Sequence, residues 1–233
     1  MNGQIDISGS KAAMTRRAAL RSAGALALTA TAGCSTPAPP APRRPPSTAV
    51  QPPDAPARSW VLLAYFSRPG ENYWYGGRRN LKVGNTQVVA QMIAARLRID
   101  PYRAEPADPY PFEYEPTVVR NQQEQQQDAR PALSTALPSL DEYDVLMLGG
   151  PVWNVGAPMI MHTLLEQWAT KGKTILPFVT YAVSGMGRVA EEYAALAPDA
   201  TIGDGLAVRG EHARSATDEV DRWLRRVRLL PRE

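Results

Sequence analysis

The chain of 233 residues contains one cysteine, Cys34, and two histidines, His162 and His212. A single cysteine excludes an intrachain disulfide and any metal site built from several thiolates. His162 falls on a helical pattern beside Met161, which favours a helix position over a ligand role. The segment V-S-G-M-G around Ser184 lacks the glycine that precedes the serine of a nucleophile elbow. These shortages argue against a metalloenzyme and against a serine hydrolase.

The common nucleotide motifs are missing too. The pattern G-x-x-x-x-G-K-[ST] is absent, which argues against a nucleotide triphosphatase, and so is the dinucleotide fingerprint G-x-G-x-x-G. The whole chain carries a net charge of +3. The first 33 residues hold four basic residues and one acidic residue, so the remainder holds 22 of each. Nucleic-acid binders are usually basic, so a nucleic-acid partner is not expected.

No apolar run reaches the roughly 20 residues needed to span a bilayer. The weakly apolar run from Ser22 to Gly33 follows Thr15-Arg16-Arg17, a twin-arginine pattern, and Met14 is an alternative start. Residues 1–34 therefore read as an export signal. A buried N-terminal helix is the alternative, although no cap or polar face supports it.

The signal ends in Thr31-Ala32-Gly33-Cys34, which resembles a bacterial lipobox. Cys34 is then the lipidated residue, although Thr31 replaces the usual large aliphatic residue and plain cleavage stays open. Residues 35–59 hold nine prolines, a composition typical of an extended tether. We expect an exported protein of the cell envelope, held at the outer face of the cytoplasmic membrane only through a lipid anchor.

Residues 60–233 form the folded domain, in which strand and helix patterns alternate. Five strands separated by helices predict an open parallel α/β sheet, and ligands of such sheets bind outside the carboxyl ends of the strands. One strand contains Pro177, which fits only a bulge or an edge position. The predicted strands are Val61–Phe66, Tyr102–Glu105, Val145–Leu148, Thr174–Tyr181 and Thr201–Val208, and the predicted helices are Asn85–Arg98, Pro158–Thr170, Ser184–Leu196 and Asp218–Leu229.

The loop after the first strand has the residues of a phosphate site. Ser67 offers a hydroxyl, Gly84 lets the backbone approach closely, and Asn85-Thr86 open a helix. Helix N-termini present unpaired N–H groups and a partial positive charge. An ordinary strand-to-helix turn explains the same residues, and Gly70-Glu71-Asn72 is an alternative cradle.

The loop after Val145–Leu148 is poor in charge and carries Trp153. An indole can stack on a planar ring, or Trp153 can be a core residue at the strand end. The loop from Thr180 to Gly187 could close the other face of such a ring. A phosphate cradle beside an aromatic wall suits flavin mononucleotide (FMN).

With these loops the chain resembles the flavodoxin family, in particular a branch with an insertion in the phosphate loop. The resemblance implies a doubly wound, five-stranded parallel sheet of order 2-1-3-4-5, with helices on both faces. The pieces that carry it are Y-F-S-R-P-G-E-N (65–72), G-N-T (84–86), P-V-W (151–153), P-F (177–178), S-G-M-G (184–187) and G-L-A-V-R-G (205–210).

The resemblance also implies which residues bind FMN. Ser67, Arg68, Gly84, Asn85 and Thr86 would surround the phosphate. Where close relatives often have histidine, this chain has Tyr181, so a proton-donor role there is in doubt. The residues around the ring would be Pro151, Val152, Trp153, Asn154, Tyr181, Ser184 and Gly185.

These features predict an exported, FMN-binding redox protein that passes electrons to a redox partner protein or a small quinone-like acceptor. The alternatives are an NAD(P)H- or quinone-dependent flavin reductase and a flavin-free binding domain on the same fold. The inserted segment Tyr73–Arg79 mixes aromatic and basic residues. It could be a rim over the flavin, a docking site for an acidic partner, or a mobile surface loop.

Overall fold

The computed structural model describes residues 60–231, so the export signal, Cys34 and the tether lie outside the described residues and stay predictions. In chain order the elements are β1 (Val61–Tyr65), β2 (Gly70–Trp74), β3 (Gly77–Leu81), α1 (Asn85–Leu97), β4 (Tyr102–Arg103), α2 (Tyr114–Gln126), β5 (Val145–Pro151), α3 (Met159–Glu166), β6 (Thr174–Tyr181), α4 (Val189–Leu196), β7 (Thr201–Ile202), β8 (Leu206–Arg209), a 3₁₀ helix (Gly210–Ser215) and α5 (Thr217–Arg226). Among the described helices, none is both long enough and apolar enough to cross a membrane.

A parallel sheet with the order β4-β1-β5-β6-β7 forms the centre of the domain, and β8 continues beside β6. Successive residues of β1 enter different cores: Leu62 packs with α3 and α4, and Leu63 packs with α1 and α5. Burial on both faces explains why β1 and β5 read as continuous apolar runs. The doubly wound fold and the order 2-1-3-4-5 of the predicted strands are confirmed.

The last predicted strand is divided. β7 pairs with β6 at Thr174 and Ile175, whereas β8 pairs from Phe178 onward. Pro177 lies opposite the gap between β7 and β8, and it faces Leu148 of β5 on the other side. A proline cannot donate to a sheet ladder, and the interruption in the neighbouring strand accommodates it. The apparent conflict between Pro177 and a central strand is thereby resolved.

Besides the 3₁₀ helix at Gly210–Ser215, two further features were not predicted. The first is α2, whose buried residues Thr117, Asn121 and Glu124 are all polar, so no apolar stripe marks it. The second is the antiparallel hairpin β2–β3. In addition, the helix predicted from Ser184 begins only at Val189. Gly185 and Gly187 have positive φ values of 60° and 58°, which keeps this stretch out of the helical conformation.

Candidate functional site

A cleft opens at the carboxyl ends of β1, β5 and β6, where the topology predicts a ligand site. Its enclosed volume is about 100 Å³. Pockets for drug-sized ligands usually exceed about 300 Å³, so this cleft by itself does not enclose a whole ligand of that size. The cleft brings together the predicted residues Ser67, Arg68, Asn85, Thr86, Pro151, Val152, Trp153 and Tyr181, and adds Asn72, Tyr73, Tyr114, Thr180, Ala182, Gly210 and Glu211.

The first turn of α1 lies at one end of the cleft. The Ser67 hydroxyl, which is buried, accepts a hydrogen bond of 3.1 Å from the Gln87 N–H. The first bond within the helix runs from the Val88 N–H to the Gly84 carbonyl. The helix therefore supplies no acceptor for the N–H groups of Asn85 and Thr86. These two donors and the Ser67 O–H are suited to an anion.

Gly84 fits this cradle because a side chain there has no room. A Cβ atom on Gly84 would lie 2.5 Å from the Arg68 carbonyl oxygen and closer still to the Ser67 Oγ. The alternative cradle, Gly70-Glu71-Asn72, forms the start of β2, and the Glu71 N–H is already bonded to the Phe112 carbonyl at 2.8 Å. The geometry favours the cradle of Ser67 and Gly84–Thr86, although the cofactor-binding role of each residue stays a prediction.

Thr86 is joined to the end of β6. Its hydroxyl lies 2.7 Å from the hydroxyl of Thr180, and both side chains are buried. This bond fixes the first turn of α1 against the sheet. The sequence placed Thr180 at the start of the loop next to the ring but did not name it as a cofactor-binding residue, although a polar residue at the carboxyl end of an apolar strand was a usable signal.

Arg68 lines the cleft but is bound mainly to the protein. Its guanidinium donates to the carbonyls of Pro111 and Phe112, each at 2.9 Å, and also to the Glu71 carbonyl. Burial lowers the pKa of Arg68, and the nearby charge of Glu71 opposes that effect. Arg68 thus links the end of β1 to the segment before α2, so its contacts indicate a positioning role beside the cradle.

The hairpin β2–β3 forms another wall and is held at both ends. At its root, Glu71 Oε2 accepts a hydrogen bond from the Tyr114 N–H at the start of α2, at 3.0 Å. At its tip, the Tyr75 N–H donates to Glu211 Oε1 at 2.9 Å. The pKa of Glu211 lies below its ordinary value. Burial raises this pKa, but the hydrogen bonds from the N–H groups of Tyr75 and of Glu211 itself, together with the charge of Arg209, outweigh that effect. The inserted segment is therefore a hairpin with defined contacts rather than an irregular loop.

The second loop places Trp153 between the core and the cleft. The indole meets the rings of Phe66 and Tyr110 edge-on, with centroids 5.5 and 5.1 Å apart. Trp153 is half-buried and also lines the cleft. The two interpretations of this residue are compatible: part of the ring packs on the core, and part remains available to a ligand.

A tight turn follows Trp153. Trp153 and Gly156 exchange two backbone hydrogen bonds of 2.9 and 3.0 Å, and the residues between them have positive φ values, 48° for Asn154 and 68° for Val155. Positive φ is costly for a β-branched residue. Hydrogen bonds to neighbouring elements stabilise this strained turn. The Asn154 side-chain amide donates to Gln125 Oε1 of α2, and the Val155 carbonyl accepts from the Arg188 N–H at 2.7 Å.

Glu192 of α4 bonds to the same loop. Its carboxylate accepts the Ala157 N–H at 2.8 Å, and His162 and Arg188 each lie 3.5 Å away. Burial raises the pKa of Glu192, but its hydrogen bonds and these neighbouring groups lower it below its ordinary value. Gly187 is needed nearby, since a Cβ there would collide with the Val155 carbonyl. These contacts fix the conformation of the loop.

Four predicted residues do not line the cleft: Gly84, which lies behind the cradle against Ser67 and Arg68, and three others. Asn154 lies on the α2 side, bonded to Gln125, and Ser184 and Gly185 lie in the turn after β6. Asn72 and Tyr73 of the hairpin belong to segments that the sequence offered only as an alternative cradle and as a rim, whereas Tyr114 of α2 and Glu211 of the 3₁₀ helix were missed. They reach the cleft only through tertiary contacts, which no local sequence pattern indicates.

Residues 81–227 match a family model described as Flavodoxin. The chain belongs to the flavodoxin family. Membership of this family supports FMN as the cofactor, in agreement with the sequence prediction. No curated protein sequence gives a significant match.

Solved structures share the fold of this flavodoxin domain. A candidate flavoprotein from Bacteroides eggerthii is 28% identical, with a TM-score of 0.59, over 73% of this chain and 98% of its own. A candidate flavoprotein from Bacteroides uniformis is 27% identical, with a TM-score of 0.57, over 72% of this chain and 98% of its own. A flavoprotein from Lactobacillus acidophilus in complex with FMN is 15% identical, with a TM-score of 0.49, over 70% of this chain and 99% of its own.

Proposed function

We propose that this flavodoxin domain binds FMN in the cleft and serves as an electron-transfer protein. The observation that carries the proposal is the convergence of two unlike surfaces at the carboxyl edge of the sheet. Ser67 and the free N–H groups of Asn85 and Thr86 form a cradle for an anion, and Trp153 and Tyr181 line the same cleft. FMN has both an anionic phosphate and a planar aromatic ring.

Each group of residues has a distinct task. The first turn of α1 neutralises the phosphate through N–H donors and the helix dipole. Trp153 and Tyr181 bound the planar ring and exclude water from it. When bound, FMN supplies the capacity to accept and release electrons, while the protein sets its position and its electrostatic surroundings. No residue of the described domain needs to act as a covalent nucleophile.

The exposed face of the hairpin suggests where a redox partner docks. Arg78, Arg79 and Lys82 are exposed. Arg78 and Arg79 lie on β3 of the hairpin that borders the cleft, and Lys82 directly follows β3. Complementary charge steers association between redox proteins. We therefore propose an acidic partner protein, with a small quinone-like acceptor as the alternative. We also propose that the twin-arginine signal exports the protein and that a lipid on Cys34 anchors it at the outer face of the cytoplasmic membrane.

The test is a comparison of FMN with riboflavin, which has the same ring but no phosphate. Two or more charge-assisted hydrogen bonds to the phosphate, each worth about 1.5–3 kcal/mol, predict that FMN binds the full chain at least about 100-fold more tightly. The Ser67→Ala variant should weaken FMN binding about tenfold and leave riboflavin binding unchanged. Flavin fluorescence titration measures all four affinities.

Ser134→Ala is the matched control, because Ser134 is exposed and does not line the cleft. Equal affinities for FMN and riboflavin would show that the cradle at the start of α1 does not bind the phosphate. Binding of neither flavin by a folded protein would overturn the flavin assignment while leaving the fold intact.

A second candidate function, a quinone-dependent flavin reductase, is favoured by one specific observation. A second cavity adjoins the cleft beyond Trp153. A pure electron carrier needs no enclosed site beside its flavin, whereas a reductase does.

A further inference from the structure

The turn at residues 153–157, called here the Trp153 turn, lies against the carboxylate of Glu192 in α4. Glu192 Oε2 accepts a hydrogen bond of 2.8 Å from the Ala157 N–H, and a Cβ atom on Gly156 would collide with Oε1. Gly156 in turn exchanges two backbone hydrogen bonds with Trp153. The carboxylate is therefore linked by a short chain of contacts to an indole that lines the flavin cleft, although Glu192 itself lies outside the cleft.

The Trp153 turn depends on such contacts because its conformation is strained. Asn154 and Val155 both have positive φ values, which are costly for a β-branched residue. The Val155 side chain is 43% exposed, so its burial does little to offset the strain. Among the described residues, Glu192 is the one charged side chain that bonds to the backbone of this turn.

The charge of Glu192 calls for an explanation. A glutamine would accept the Ala157 N–H without the cost of burying a charge, and the Glu192 side chain is only 22% exposed. Burial raises the pKa of Glu192, but hydrogen bonds from His162 and Ala157 and the charge of Arg188 hold it below its ordinary value. The carboxylate thus stays ionised, and hydrogen bonds to an ionised acceptor are about twice as strong as neutral ones.

Two basic side chains face this carboxylate. His162 Nε2 of α3 and Arg188 Nε, at the start of α4, each lie 3.5 Å from an oxygen of Glu192. Arg188 is charged at every pH of interest, whereas a histidine gains its charge as the pH falls. His162 therefore supports the charge of Glu192 most strongly in acid, where a carboxylate is otherwise protonated.

Solvent reaches the pair of His162 and Glu192 through a cavity of about 370 Å³ on the α2 side of the turn, which both side chains line. None of the described residues that line this cavity also lines the flavin cleft. The other charged groups near the histidine are Asp128 and Glu166, and both are paired with Arg130. Protons therefore exchange with the pair from a side of the domain that a ligand in the cleft does not cover.

We propose that Glu192 is a positioning residue for the flavin site, and that His162 keeps it ionised so that the Trp153 turn holds its conformation in acid. The contact between Glu192 and the turn stands by itself; its role toward a flavin rests on the proposed function. Since the pKa of Glu192 is depressed, the charged contact is complete at neutral pH and is lost as the pH falls through that lowered pKa. Without His162 the loss should begin at a higher pH.

The test uses riboflavin, because it has no phosphate whose own titration would enter the pH profile. In fluorescence titrations of the full chain at neutral pH, Glu192→Ala should weaken riboflavin binding about tenfold, the change expected for one hydrogen bond. Glu192→Gln keeps an acceptor without the charge, so it should weaken binding only about threefold and show no further loss in acid. His162→Gln should bind as the wild type does at neutral pH and lose riboflavin at a higher pH than the wild type.

Hydrogen exchange of the Ala157 amide reports on the same contact without any flavin. This amide should be protected in the wild type and should exchange faster in Glu192→Ala, because its acceptor is gone. Glu191→Ala is the matched control: Glu191 is the preceding residue of α4, is exposed and lies outside the cavity. It should match the wild type in both measurements.

The outcomes separate this inference from the proposed function. Equal exchange of the Ala157 amide in the wild type and in Glu192→Ala would overturn the inference whichever flavin binds. The same acid loss of riboflavin in Glu192→Gln as in the wild type would overturn it too, since no carboxylate at position 192 then titrates. A folded protein that binds no flavin, but whose Ala157 exchange still depends on Glu192, would overturn the proposed function and leave the support of the turn in place.

Discussion

At the scale of single residues, the cradle depends on the absence of a side chain at position 84. Gly84 precedes α1 and brings its backbone against the end of β1. Its φ of −66° is open to any residue, so the requirement for glycine is one of space rather than of backbone freedom. The Ser67 hydroxyl and the Arg68 carbonyl occupy the volume that a methyl group would need.

Gly84→Ala should therefore displace the cradle from the end of β1. Overpacking of this kind costs about 1–3 kcal/mol, and we expect a loss of that size in the free energy of unfolding, measured with urea. FMN binding should weaken at least about tenfold. Gly77→Ala is the control, because its Cβ would make only an ordinary contact of 3.6 Å with the Trp74 carbonyl. Equal behaviour of the two variants would contradict the steric argument.

At the scale of elements, sequence patterns identified the strands and helices whose buried side chains are apolar. They missed α2, whose buried side chains are polar. β1 and β5 are apolar on both faces, and their runs predicted them directly. α2 buries Thr117, Asn121 and Glu124 and therefore has no apolar periodicity. A helix of this kind is specified by tertiary hydrogen bonds, such as that from Tyr110 to Glu124 at 2.8 Å.

The candidate site likewise contains some residues that the sequence indicated and others that it did not. Ser67 and Trp153 follow apolar strands directly, so the topology of parallel sheets placed them at one edge. Tyr73 and Glu211 share the cleft because the hairpin tip bonds to a residue 136 positions away in the chain. Pairing over such a distance is set by packing of the whole domain and leaves no local signal.

The hairpin contact leads to a prediction about flavin release. Glu211→Ala removes the acceptor of the Tyr75 N–H and frees the tip of the wall that borders the cleft. We expect FMN to dissociate about tenfold faster, with a small effect on the association rate, because most changes of affinity at one site appear in dissociation. Stopped-flow fluorescence after dilution of the complex measures the rate.

Glu115→Ala is the matched control for this experiment. Glu115 pairs with Arg78 of the same hairpin at 2.8 Å, but its side chain is 73% exposed, and exposed ion pairs contribute little. If both variants release FMN at the wild-type rate, the tip contact does not hold the wall in place.

At the scale of the whole molecule, the positive charge is concentrated in the predicted export signal. The excess of positive charge lies within the first 33 residues, and the remainder is formally neutral. Small electron carriers often rely on a strongly acidic surface to find their partners. A neutral protein held on a proline-rich tether could instead meet its partner through confinement near the membrane, where linkage raises the effective concentration.

Confinement of this kind depends on two features of the predicted export signal, the arginine pair and Cys34. Arg16→Lys with Arg17→Lys should keep the protein in the cytoplasm, protected from protease added to spheroplasts, because the export pathway reads the arginine pair. Cys34→Ser should still be exported but should move from the membrane fraction to the soluble fraction, because the proposed anchor is a lipid on this cysteine, and each buried CH₂ of its acyl chains would contribute about 0.8 kcal/mol. Thr36→Ala should leave the protein in the membrane fraction. If Cys34→Ser also remains there, the anchor is not a lipid on this cysteine, and confinement must come from the export signal itself or from a membrane-bound partner.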